Sequence, residues 1–120
     1  MSDRLVKILE QGKLVLRGLK RSGSNAILFL DSDETLNITF DWSAWLDDDT
    51  IASVTNNVTG VSVSNESNTT TTATMNVSAN YSGFLEHRIT TDGGLTKEMK
   101  VFVSVDGYAI SDDYGIAWSL

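Results

Sequence analysis

Residues 36–55 read LNITFDWSAWLDDDTIASVT, and the fold is decided there. Leu36, Ile38 and Phe40 alternate with Asn37, Thr39 and Asp41, the period-2 pattern of a strand with one buried face. Trp42 and Trp45 follow around a tight polar segment, then Asp47, Asp48 and Asp49, and a second strand-like piece opens at Thr50 and Ile51. Strand, aromatic corner, acidic turn and strand form the pattern of a β-sandwich, not of an active site.

The same alternation continues on both sides. Upstream, residues 26–30 (AILFL) are a continuous apolar run, turned out by Asp31, Ser32 and Asp33. Downstream, Asn56, Asn57 and Gly60 are expected to flank a turn, Val61 and Val63 mark a short strand, and residues 65–68 read as a loop. Ala73, Met75 and Val77 alternate with Thr74, Asn76 and Ser78, so the neighbouring threonines read as the exposed side of a strand. Leu85, His87 and Ile89 share one face of the next strand. Asp92, Gly93 and Gly94 then suit a hairpin turn, because glycine accepts the positive φ such turns demand. Met99, Val101, Val103 and Val105 form the inward face of the return strand. The expectation is an all-β, immunoglobulin-like antiparallel sandwich of about seven strands, with no helix in the body. It divides the chain into an N-terminal arm over 1–25, a sandwich over 26–105 that folds without its ends, and a C-terminal tail over 106–120.

Composition narrows the function. The chain has 120 residues, enough for one domain, and no cysteine, so neither a disulfide nor a thiolate metal site is available. That usage suits assembly in a reducing cytoplasm, or stability gained through oligomerisation. The net charge of −7 is unevenly spread. Residues 1–25 carry six cations against two acids, a net +4, and the other 95 carry three against fourteen, a net −11. Residues 2–11 place Leu5, Ile8 and Leu9 on one helical face, and residues 13–19 resemble a short strand. A basic arm with apolar side chains and no partner of its own is expected to dock on a neighbouring subunit or an acidic partner. Arg4, Leu5, Ile8, Leu9, Lys13, Arg17, Lys20 and Arg21 are its candidate contacts.

In DWS (41–43), DTIAS (49–53), ITTDGG (89–94) and VFVSV (101–105), residues 34–105 resemble a family of small bacteriophage proteins, the fibre–tail adaptors. The family pattern carries a tryptophan about where this chain has Asn56, so either Trp42 or Trp45 fills that core volume or the alignment slips by a residue. The resemblance implies a structural virion protein without catalysis, on the tail rather than the capsid, assembled in the host cytoplasm. Its partners would be other virion proteins and further copies of itself, with no nucleic acid and no membrane. Capsid decoration and carbohydrate or cell-surface binding are the alternative roles. Exposed Tyr81 and Phe102 would serve the latter.

The chemistry-bearing residues suggest no reaction. His87 is the one histidine, and its place between Leu85 and Ile89 predicts a core-facing ring making one hydrogen bond. No serine sits in a nucleophile-elbow motif. Asp47, Asp48 and Asp49 are candidate calcium ligands but lack the alternating spacing of a calcium loop, so a solvated turn is expected. No catalytic residue, cofactor or metal site is therefore assigned.

Overall fold

The computed structural model describes residues 3–9, 14–22 and 25–105. Ten strands and a single helical turn follow in the order β1 (Asp3–Ile8), β2 (Leu14–Arg17), β3 (Lys20–Ser22), β4 (Asn25–Leu30), β5 (Thr35–Asp41), α1 (Ser43–Leu46), β6 (Ile51–Thr59), β7 (Ser62–Asn68), β8 (Thr72–Ser78), β9 (Gly83–Thr91) and β10 (Thr96–Val105). They build two five-stranded sheets, ordered β2-β1-β5-β8-β7 and β3-β4-β10-β9-β6, which face one another as an immunoglobulin-like sandwich. The seven strands expected between residues 26 and 105 correspond to β4 through β10.

Alternation produces the core. In β5 the pattern buries Leu36, Ile38 and Phe40. In β8 it buries Ala73, Met75 and Val77, and in β10 Met99, Val101 and Val103. These side chains meet in one cluster between the sheets. The β5–β8 pair runs in register from Thr35 opposite Ser78 to Asp41 opposite Thr72. On its outer face Asn37 donates to Asn76 at 3.0 Å, and the Thr39 and Thr74 hydroxyls lie 3.1 Å apart. A one-residue slip would turn Phe40 and Met75 to water and lose both polar pairs.

The structure corrects several expectations. The segment read as a helix over residues 2–11 contains strand β1, which pairs in parallel with β5 and antiparallel with β2. Val6 and Ile8 alternate into the core, and Leu14 of β2 joins them, so the described part of residues 1–25 is built into the sandwich. The sheets are not wholly antiparallel: β1–β5 and β4–β10 are parallel pairs. Asn56 and Asn57 lie inside β6, and residues 65–68 belong to β7 rather than to a loop. The body also contains a helical turn, α1. The Asp41 carboxylate accepts from the Ser43 N–H at 3.0 Å and the Ser43 hydroxyl at 2.7 Å, starting the turn locally. The Leu46 N–H then closes on the Trp42 carbonyl at 2.8 Å, and Asp47, at φ 58°, ends it. The hairpin read at Asp92, Gly93 and Gly94 is present, with Gly94 at φ 89°. Residues 106–120 lie outside the described residues.

Candidate functional site

The residues expected to meet a partner separate into two sets. Ile8 is 1% exposed and packed within the chain's own core, so it cannot anchor a neighbour in this fold. Leu5 and Leu9 are half-buried, and Lys13 lies outside the described residues. Arg4 is half-buried too, with its side chain close over Gly18 and its Nε without a hydrogen-bond partner among the described residues. Arg17, Lys20 and Arg21 are exposed. They stand on β2 and β3, the edge strands that end the two sheets. Arg21 Nη2 also donates to the Leu14 carbonyl at 2.6 Å, which ties β3 of one sheet to β2 of the other. Beside these cations Val15 remains 47% exposed. The basic charge read in the sequence thus forms one margin of the sandwich, not a detached arm.

The aromatic corner organises the interior. Trp42 is fully buried, Trp45 is half-buried, and their rings meet edge to face at 5.4 Å. Trp42 Nε1 donates to His87 Nε2 at 2.9 Å, across from the other sheet. An Nε2 that accepts leaves the ring proton on Nδ1, which lies 2.8 Å from Asn56 Oδ1 and donates to it. Asn56 Nδ2 in turn donates to Glu66 Oε1 at 2.8 Å. The ring stacks on Phe40 with centroids 4.0 Å apart. His87 faces the core as expected, but makes two hydrogen bonds where one was anticipated. Burial holds its pKa down to about 3, so the ring is neutral at physiological pH. A neutral imidazole with both nitrogens engaged has no free lone pair for catalysis or for a metal. Trp42 is the buried tryptophan of the corner, and Asn56 is the amide partner of His87.

The acidic turn is solvated in part and structural in part. Asp47 and Asp48 are exposed. Asp49 Oδ1 accepts from the N–H groups of Thr50 at 2.8 Å and Gly93 at 3.0 Å, which fastens the corner to the β9–β10 turn. Hydrogen bonds from the Thr91 hydroxyl and from the Thr50 and Gly93 N–H groups hold its carboxyl below the usual carboxylate range. Among the described residues, no group of three or more His, Cys, Asp or Glu side chains is placed to hold a metal ion. No helix among them is long and apolar enough to cross a membrane.

The aromatics considered for sugar binding do not form a platform. Tyr81 is exposed on a loop, at the rim of an open polar cleft of about 390 Å³ lined also by Asp33, Glu34 and Asn80. Phe102 is paired with Phe84 on the outer face of a sheet, beneath Lys100, whose ammonium lies 5.8 Å and 4.7 Å from the two rings. The Trp42–His87–Asn56–Glu66 chain was not legible in the sequence: its members lie on four separate segments, and only the oddity of a histidine in an apolar alternation hinted at it.

Fold and site together define a small immunoglobulin-like β-sandwich with a polar chain through its core and cations along one margin. Within that class, the chain belongs to the family described as "Podophage GP4 fiber-tail adaptor protein gp77", whose family model matches residues 30–104. The match takes in the strands β5 through β9, the corner and nearly all of β10, and leaves β1, β2 and β3 outside. A solved structure described as "Solution structure of the PKD domain from KIAA 1837 protein" is similar at 21% identity and a TM-score of 0.41, over 79% of this chain and 93% of that one. None of the curated proteins compared matches.

Proposed function

We propose that this chain is a non-enzymatic structural component of the virion, joining tail and fibre parts, and that it meets its partner along the margin formed by β2 and β3. Membership of the fibre–tail adaptor family carries the reading. The margin is supported by its chemistry: Arg17, Lys20 and Arg21 are exposed beside Val15, on a chain that is otherwise strongly acidic. An acidic protein surface would be drawn to it and other faces of the chain repelled, which fixes orientation more than it adds affinity. Nucleic acid is disfavoured as the partner, because a net charge of −7 opposes a polyanion. Such a joint works in the particle tail, after assembly in the host cytoplasm, and its partners are virion proteins, further copies of the chain included.

The double substitution Arg17→Glu with Lys20→Glu tests this, since among the described residues neither side chain has a structural bond comparable to that of Arg21. The variant is expected to fold, to associate more slowly with particles lacking the protein, and to lose salt sensitivity in that step. Incorporation at the normal rate and with the normal salt dependence would refute the margin as the joint.

A further inference from the structure

Among the described residues the sandwich has four edge strands, and three of them carry a device that discourages pairing with another strand. Strand β2 has four residues and ends in exposed Arg17; β3 has three and carries Lys20 and Arg21. Strand β7 is interrupted between Ser64 and Ser67, where Asn65 takes φ 51°, and it carries Glu66. Strand β6 differs. It is nine residues long, has no charged residue and no proline, and its one irregularity falls at the start, between Ile51 and Ser53. From Ser53 to Thr59 it pairs with β9 without a break, leaving seven residues of regular, uncharged edge. Val58 on this edge is 39% exposed, and half-buried Val54 lines a shallow side cleft with Met75.

We propose that β6 is the surface on which two copies of this chain join, edge to edge and antiparallel, about a two-fold axis through Asn56. This rests on the reading above that the protein works in several copies, and adds the interface. On a chain of net charge −7, the strand itself adds no charge, and the carboxylate beside it, Glu66, has its Oε1 taken up by Asn56 at 2.8 Å. The register is self-complementary. With the axis at Asn56, the centre of the regular segment, Val54 faces Val58 of the copy on the inner side. Ser53 faces Thr59 and Thr55 faces Asn57 on the outer side. Apolar meets apolar and polar meets polar. The two sheets would become one continuous sheet of ten strands, removing the unprotected edge from solvent.

The register makes the test specific. Thr55 and Asn57 are exposed, and within one chain they stand opposite Arg88 and Glu86 of β9. Thr55→Glu with Asn57→Lys therefore places opposite charges together inside each chain, and again across the two-fold. Thr55→Glu with Asn57→Glu places like charges together across it. Sedimentation equilibrium of the full chain is expected to show a concentration-dependent dimer for the wild type. The Glu/Lys variant should associate at least as tightly, and the Glu/Glu variant about tenfold or more weakly. Far-ultraviolet dichroism of each variant checks that the fold is kept. A wild type monomeric at every soluble concentration would overturn the proposal, as would a dimer that treats both variants alike. Neither result bears on incorporation through the basic margin, so the two readings fail separately.

Discussion

His87 shows how one side chain sets a condition for the whole fold. Both of its nitrogens are committed, one accepting from Trp42 and the other donating to Asn56, so a second ring proton would meet the indole N–H donor-to-donor. The folded pKa of about 3 lies below the ordinary value of 6.5, so between those limits the unfolded chain binds the extra proton. Stability should then fall as pH falls from 6.5 towards 3, by up to about 1.4 kcal/mol per pH unit. Urea midpoints measured from pH 7 to pH 4 should show this slope in the wild type and a flatter one in His87→Gln. Equal slopes would mean that the ring titrates freely in the fold. Asp49 also favours the fold when ionised, but its effect lies below the ordinary carboxylate pKa of 3.8, below the measured range of pH 7 to pH 4. Trp42 and Trp45 should behave differently on truncation. Trp42→Ala removes a fully buried indole and the donor to His87, at a cost of about 3–5 kcal/mol. Trp45→Ala, at a half-buried site, should shift the urea midpoint clearly less.

Among the elements, β9 depends on a residue without a side chain. A Cβ on Gly83 would lie 2.0 Å from the Thr59 carbonyl oxygen, a backbone atom at the end of β6 that can move only with its strand. Gly83→Ala is expected to destabilise the protein by about 1–3 kcal/mol, measured as a lower urea midpoint. An unchanged midpoint would mean that the two strand ends part freely. Neither this approach nor the bonds of His87 are visible in the sequence, because Thr59 lies 24 positions from Gly83, and Asn56 and Trp42 lie 31 and 45 from His87. The strands with one buried face were legible: β5 and β8 alternate strictly, β10 does so up to Val103, and their expected inward residues are buried. β1 was not. Leu5, Ile8 and Leu9 fit a helical spacing as well as Arg4, Val6 and Ile8 fit a strand, and six residues are too few to separate the periods. The neighbouring β5, some thirty-four residues onward, decides the matter by offering its edge in register, Asp3 opposite Asn37 through Lys7 opposite Asp41. Residues 65–68 were misread for a related reason. They are polar on both faces, so no alternation marks them, and it is pairing with β8 that extends them.

At the scale of the whole molecule, the N-terminal strands change the plan of the protein. The family match begins at residue 30, yet β1, β2 and β3 extend both sheets and supply Val6, Ile8 and Leu14 to the common core. Without them β5 would lose its parallel neighbour, and Phe40 would lose Val6, which stands opposite it in the pair. The cations proposed to meet the partner are therefore held in place by the same strands that complete the sandwich, and the joint is as rigid as the fold. Urea unfolding of a chain shortened to residues 26–105, beside the full chain, tests this most directly. The account predicts that the shortened chain loses its cooperative transition or unfolds at a far lower midpoint. A cooperative transition at the midpoint of the full chain would contradict it, and would return residues 1–25 to the role of a detachable arm.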